Sequence, residues 1–347
     1  MNTGDLETTI RALMTSGRGI LAADESNATI ARRFEAMGIE ATEENRRLYR
    51  QMLFTTPGMS QFISGVILFD ETLRQRADDG RSFVEVLARG GTIPGIKVDR
   101  GTKPLAGAPG ERVTEGLDGL RERLGEYRAL GARFAKWRAV IAMGDGQPST
   151  ACLDANAHAL ARYAALCQDA ALVPIVEPEV LMDGDHSIDR CFEVTEATVD
   201  RVFGALRNQR VILEHVLLKP NMVLPGTRSP RQASVREVAE ATVQCLRRAV
   251  PAAVPAVLFL SGGQDAQVAT AHLNAMNAMA AAHPWRLSFS FARALQAPAL
   301  EAWRGERRNV SAGQQAFYHR ARCNSAALEG RYTPELERAP EVVGHRA

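Results

Sequence analysis

At 347 residues the chain is long enough for two average domains or one large barrel. Hydrophobic residues make up 46% and charged residues 24%, the proportions of a globular protein. The 42 basic and 40 acidic residues nearly cancel, to +2, which excludes the clustered basic excess of a general nucleic-acid or membrane-surface binder. The first residues, Met-Asn-Thr-Gly-Asp-Leu-Glu, are polar and acidic, so no secretory signal is expected. Eight short apolar runs follow in order: Gly19–Ala23, Ile63–Phe69, Gly95–Val98, Phe134–Ile141, Val173–Val176, His215–Leu218, Ala256–Leu260 and Leu287–Phe291. Near-continuous apolar runs of this length suit strands buried on both faces. Helical patterns lie between them. Asn156–Asp169 is amphipathic and Ala-rich, and the helix predicted over Ser234–Ala249 opens on a capping box, Ser234 with Glu237. Alternation of strand and helix predicts a parallel α/β fold, and the count of eight favours a closed (β/α)8 TIM barrel over an open doubly-wound sheet. One barrel domain over residues 1–334 is expected, with a mobile tail over 335–347, where periodicity is lost.

The five cysteines (Cys152, Cys167, Cys191, Cys245 and Cys323) are scattered, odd in number and lack a C-x-x-C pair, as in a reduced, cytoplasmic protein. Val250–Leu260, the most apolar stretch, is too short to span a bilayer and carries Pro251 and Pro255.

Polar residues collect at the C-terminal ends of the predicted strands. Asp24 follows the first; Lys97 and Asp99 close the third; Lys136 and Arg138 interrupt the fourth. Glu177 and Glu179 close the fifth, Lys219 the sixth; Ser261-Gly262-Gly263 follow the seventh and Arg293 the eighth. In a barrel these ends meet at one mouth, where active sites are built. The i, i+2 spacing of Lys136/Arg138 and of Glu177/Glu179 projects each pair to one side of its strand. A lysine amine attacks a carbonyl only when unprotonated, which calls for desolvation or a neighbouring cation. Spacing alone leaves Lys97, Lys136 and Lys219 as equal candidates for that nucleophile. Glu177 and Glu179 are candidates to move protons, and Asp24 to abstract a hydroxyl proton. Ser-Gly-Gly after a strand is a backbone nest for an anion, which Arg293 would clamp bidentately.

Ordinary readings stand beside these. Lys136 and Glu177 would also make an interior ion pair, Asp24-Glu25-Ser26 a helix cap, and Ser261-Gly-Gly a turn. Asp183-Gly184-Asp185-His186 looks metal-like but reads better as a turn before a helix, and the histidines show no ligand spacing.

The sequence resembles the class I fructose-1,6-bisphosphate aldolases of animals and plants. The matching segments run in order along nearly the whole chain: Gly19-Ile-Leu-Ala-Ala-Asp-Glu-Ser26, Thr42-Glu-Glu-Asn-Arg-Arg47, Gly65-Val-Ile-Leu-Phe69, Gly95-Ile-Lys-Val-Asp99, Phe134-Ala-Lys-Trp-Arg138, Val173-Pro-Ile-Val-Glu-Pro-Glu179, Leu217-Leu-Lys-Pro-Asn-Met-Val223, Phe259-Leu-Ser-Gly-Gly-Gln264 and Arg293-Ala-Leu-Gln296. The resemblance implies Lys219 as the Schiff-base lysine, Glu177 as the acid/base of imine formation with Glu179 assisting, and Asp24 with Lys136 acting at the carbonyl and at C–C cleavage. It implies a C1-phosphate site at Ser261, Gly262, Gly263, Ala292 and Arg293, and a far-phosphate site near Ser26, Thr29, Arg33, Lys97 and Arg138. It also implies a metal-free, cofactor-free homotetramer in the cytoplasm, acting on a sugar phosphate in glycolysis and gluconeogenesis, without a nucleic-acid or membrane partner. Two alternatives remain at this stage: a Schiff-base aldolase preferring another ketose phosphate, and a scaffold role on the same fold.

Three departures stand out. Ala292 replaces a family glycine, Arg32 replaces a common lysine, and no tyrosine follows Tyr332, where many members end in one that assists enamine proton transfer. That step is expected to run more slowly or through another base.

Overall fold

The computed structural model describes residues 3–279 and 283–338. Eight parallel strands close into a barrel: Gly19–Ala23, Ile63–Leu68, Ile93–Lys97, Phe134–Ile141, Val173–Val180, Leu217–Leu218, Ala256–Phe259 and Arg286–Phe291. The last pairs with the first through Ser290 opposite Ile20. Each predicted run carries one of these strands. A short antiparallel hairpin, Thr102–Pro104 with Arg112–Thr114, follows the third strand and was not anticipated.

The fifth and sixth strands depart from their predicted lengths by more than one residue. The fifth runs on to Val180, so Glu177 and Glu179 lie within it rather than beyond its end. The sixth shrinks to Leu217–Leu218, preceded by a 3-10 turn at Leu213–His215. Lys219 N donates to Val176 O at 2.8 Å, so alternate residues of the fifth strand bond toward the sixth. Pro174 and Pro178 fall on that alternation and have no N–H to offer, which leaves the sixth strand a short ladder. The next donor in step, Val180 N, goes to the Asn221 side chain at 3.0 Å.

The barrel interior has two layers. Ile20, Ala22, Ile67, Phe134, Val173, Ile175, Leu217, Ala256 and Leu258 fill its lower half, and Leu6, Ile10 and Leu13 of helix Thr3–Leu13 plug the bottom. A larger cluster packs the strands' outer faces against the helices. Gly95 makes the lower layer possible: a Cβ there would lie 2.3 Å from the Phe134 ring. The capping box of helix Val235–Ala249 forms, with Ser234 N donating to Glu237 Oε2 at 2.8 Å. The amphipathic stretch from Asn156 is the greater part of a longer helix, Thr150–Asp169. All five cysteines are free and buried. Pro334–Arg338, at the start of the expected tail, forms a short helix, and the rest of that tail lies outside the described residues. No described helix is long and apolar enough to cross a membrane.

Gly95→Ala is expected to lower the thermal midpoint by the equivalent of about 1–3 kcal/mol of overpacking. Gly125→Ala, in helix Leu120–Ala129 with open space around its Cβ, should leave the midpoint unchanged or raise it. Thermal melts of the two variants side by side check both.

Candidate active site

Above the apolar floor the lumen becomes charged within one residue step. The alternation that points Phe134 into the lower layer also points Lys136 and Arg138 inward. The neighbouring fifth strand places Ile175 in the floor and lifts Glu177 and Glu179 above it. The first strand carries Asp24 just past Ala22, and the sixth ends at Lys219 just past the buried Leu217 and Leu218. These side chains line one cavity of about 800 Å³ at the C-terminal mouth of the barrel.

Glu177 stands between two lysines, with Oε1 3.1 Å from Lys219 Nζ and Oε2 2.9 Å from Lys136 Nζ. Lys136 Nζ is also 2.7 Å from Asp24 Oδ2. All four groups are buried. Burial by itself pushes carboxylate pKa values up and lysine values down. Here pairing outweighs it. Burial raises Asp24, but Lys136, then Lys219 and Lys97, hold it well below the usual carboxylate range. Glu177 is likewise lowered against its burial by Lys136 and Lys219. Lys136, opposed by burial, is raised well above the ordinary lysine range by Asp24 and Glu177. Each of the pair thus holds the other charged, Lys136 as the cation and Asp24 as the anion.

The expected far-phosphate residues line the same cavity. Ser26 caps helix Asn27–Glu35, its hydroxyl accepting from Thr29 N at 3.4 Å, so the capping reading is also correct. Arg138 pairs with Glu179, and Lys97 Nζ lies 3.3 Å from Asp99 Oδ1. On the other side, Ser261, Gly262, Gly263, Ala292 and Arg293 meet as expected. Gly262 and Gly263 have φ of +63° and +108°, a region that favours glycine, and a Cβ on Gly263 would stand 2.7 Å from Arg293 Nη2. Burial, then Arg33, pushes the Arg293 pKa down, Glu179 offsetting in part. An exposed guanidinium at the cavity wall, beside other cations, is ready for an anion.

The sequence reading missed the supports. Glu25 is buried behind Asp24 and receives Arg33, Arg50 Nη2 at 2.6 Å and Gln296 Nε2 at 2.9 Å. Gln296 also donates to Ala22 O at 2.6 Å, which ties the eighth strand's following helix to the end of the first strand. Asp99 was seen at its strand end without a role; it accepts from Arg138 N at 3.2 Å while holding Lys97. Its i, i+2 spacing from Lys97 was the available signal. Gln264 Nε2 donates to Ser261 O at 3.1 Å, and His272 Nδ1 meets Gln264 Oε1 at 2.7 Å, bracing the Ser-Gly-Gly turn from behind. The metal-like run at Asp183–His186 is a turn before helix Ile188–Asn208, as expected; it is fastened by Gly226 N to His186 O at 2.8 Å.

The fructose-bisphosphate aldolase class-I family model matches residues 5–343. The chain belongs to this family. A probable class 1 fructose-bisphosphate aldolase of Xanthomonas campestris pv. campestris is 57% identical over 333 residues, 96% of this chain and 99% of the relative. Fructose-bisphosphate aldolase 4, cytosolic, of Arabidopsis thaliana is 52% identical over 323 residues, 93% of this chain and 82% of that protein. Among solved structures, a fructose-bisphosphate aldolase from Plasmodium falciparum, in complex with TRAP and a small-molecule inhibitor, superposes with a TM-score of 0.94 at 47% identity, covering 95% of this chain and 96% of that one.

Against the class I aldolase pattern, two departures now have a physical reading. Ala292 has φ −105°, outside the left-handed region, so its Cβ adds no such strain and its N–H remains at the cavity. Tyr332 is not a stand-in for a terminal tyrosine: its hydroxyl donates to Glu337 Oε1 at 2.8 Å, away from the cavity lining.

Burial lowers the His272 pKa from 6.5 to about 4. The unfolded chain then binds the extra proton first as pH falls. The contribution to stability is complete above pH 6.5 and is lost toward pH 4. His272→Gln should therefore flatten the thermal midpoint's dependence on pH across that window, read by melts from pH 4 to 7.

Proposed function

We propose that the barrel mouth reversibly cleaves fructose 1,6-bisphosphate to dihydroxyacetone phosphate and glyceraldehyde 3-phosphate through a Schiff base on Lys219, in the glycolytic and gluconeogenic direction alike. The observation that carries this is Glu177, shared at 3.1 and 2.9 Å between Lys219 and Lys136 directly above an apolar floor. A single carboxylate in reach of the nucleophile delivers the protons that amine addition and loss of water require.

Glu177 Oε1, 3.1 Å away, takes a proton from Lys219, and the neutral Nζ adds to the C2 carbonyl of the open-chain ketose. Glu177 protonates the resulting carbinolamine oxygen, water leaves, and the imine forms. Glu179, one turn of the pleat further up and tied to Arg138, assists. Asp24, held ionised, accepts the C4 hydroxyl proton, with Lys136 2.7 Å away to stabilise the charge. The C3–C4 bond then breaks, its electrons pass into the iminium, and the aldehyde leaves. Protonation of the enamine and hydrolysis return Lys219 and release the ketone.

Cations at both ends of the cavity support a bisphosphate as substrate. The glycine turn and Arg293 would hold the C1 phosphate. Ser26, Thr29, Arg33, Lys97 and Arg138 surround the place for the other. The buried lysine chemistry needs no metal. The homotetrameric state and the cytoplasmic location belong to this proposal as well; analytical ultracentrifugation of the purified chain tests the first.

Borohydride reduction in the presence of dihydroxyacetone phosphate should leave a stable adduct on Lys219 in a peptide map; an adduct on Lys97 or Lys136 instead, or none, sinks the proposal. Glu177→Gln is expected to lower kcat by about 10²–10⁴-fold, the span of a positioned acid/base, with a much smaller change in KM. Arg33→Ala should raise KM for fructose 1,6-bisphosphate well above its effect on fructose 1-phosphate, measured by parallel steady-state kinetics on the two ketoses.

A further inference from the structure

Where helix Val310–Leu328 packs on helix Ala266–Ala278, outside the lining of the active-site cavity, three side chains with metal-binding chemistry converge. His319 and Cys323 are four residues apart on helix Val310–Leu328 and so share one face. Glu337, on the short helix Pro334–Arg338, folds back over them. The histidines showed no ligand spacing along the sequence. The spacing appears only when a cysteine and a distant carboxylate are added. Among the described residues this is the group of His, Cys and acidic side chains whose donor atoms all lie within 4.8 Å of one another.

We propose that His319 Nε2, Cys323 Sγ and Glu337 Oε2 form a binding site for a soft or borderline divalent ion of the zinc class. The donor set is mixed nitrogen, thiolate and carboxylate, which zinc accepts and which magnesium or calcium does not favour. The two separations made by His319 fit tetrahedral zinc, and the sulfur and the carboxylate oxygen lie within 4.8 Å of each other. Bonds of about 2.3 Å to sulfur and about 2.0–2.1 Å to nitrogen or oxygen require separations of roughly 3.6 Å for S···N and roughly 3.3 Å for N···O. Cys323 Sγ lies 3.7 Å from His319 Nε2, and His319 Nε2 lies 3.4 Å from Glu337 Oε2. Little movement is needed to admit the ion, and water would complete the fourth position.

The carboxylate is already oriented for this. Glu337 Oε1 receives Arg320 and, at 2.8 Å, the Tyr332 hydroxyl, so Oε2 is the oxygen turned toward His319. Outer partners that fix a ligand in this way are part of what makes a metal site tight. Arg320 Nη2 in turn reaches Thr270 Oγ1 at 2.6 Å and Ala266 O at 3.0 Å, which anchors the arrangement to helix Ala266–Ala278. His319 keeps about 20% of its side chain exposed and so supplies the entry. On binding, the Cys323 thiol proton leaves to solvent, and thiolate and carboxylate together balance the ion's two charges. The consequence is structural: the ion would clamp the segment after Tyr332 to helix Val310–Leu328, outside the lining of the cavity that holds Lys219.

The full chain, stripped with EDTA and gel-filtered, should take up one Zn2+ per chain in competition with a chromophoric chelator. Co2+ in its place should show sulfur-to-metal charge-transfer absorption. Cys323→Ser and His319→Ala should each weaken Zn2+ binding by about tenfold or more, since even outer partners are worth about 10–100-fold. Zn2+ should raise the thermal midpoint of the native chain and not of these variants. Borohydride labelling of Lys219 is expected to be unchanged in both variants, which reports correct folding and separates this site from the aldolase reading. Absence of stoichiometric uptake by the native chain, cobalt binding without the thiolate band, or affinity retained by the labelled His319→Ala protein overturns the proposal.

Discussion

Lys136 meets Asp24 at 2.7 Å and Glu177 at 2.9 Å directly above a wholly apolar barrel floor. Taking any one of these charges out of water alone would cost several kcal/mol, so each depends on the others. Remove a carboxylate and the lysine is a buried cation with half its compensation gone. Remove the lysine and two buried anions face each other. The cluster therefore has few alternative arrangements, and Lys219, 3.1 Å from the same Glu177, inherits that precision. A site held in this way reorganises little when charge moves during reaction.

The rest of the molecule reads as the means of holding that cluster still. Strands bring the charged groups to one height. Gly95 clears space for Phe134, which joins the buried apolar layer beneath the charges. Glu25 sits one residue beyond Asp24 and is fastened by Arg33, Arg50 and Gln296, which come from three different helices or their ends. The first and last strands of the barrel are thereby locked together at the point where Asp24 projects. The same economy appears at the phosphate turn, where Gln264 and the neutral His272 brace Ser261 from behind. In both places the residues exposed to the cavity are few and the ones that position them are more numerous.

Much of this was legible along the chain, because barrel strands buried on both faces write their period and their ends directly into the sequence. Eight apolar runs located eight strands, and the polar residues at the ends of seven of them located the mouth. The i, i+2 spacing of Lys136 with Arg138 and of Glu177 with Glu179 correctly placed each pair on one side of its strand. Motif order along the chain identified the family. Legibility failed where the cause was a neighbour. The length of the sixth strand was set by prolines in the fifth, and the extra hairpin after the third strand carried no apolar signature of its own.

Side-chain type and local spacing are properties of the sequence, so the nucleophile candidates, their apolar setting and the anion turn were determined by it alone. What spacing could not decide was which lysine shares a proton carrier with which. Lys97, Lys136 and Lys219 are equivalent along the chain, yet in the fold Lys97 faces Asp99, Lys136 bridges Asp24 and Glu177, and Lys219 meets Glu177 alone. The same holds for the brace on Glu25 and for the meeting of His319 and Cys323 with Glu337. Each depends on distances of a few ångströms between groups tens or hundreds of residues apart, and electrostatic interaction at that range is fixed only when the barrel closes.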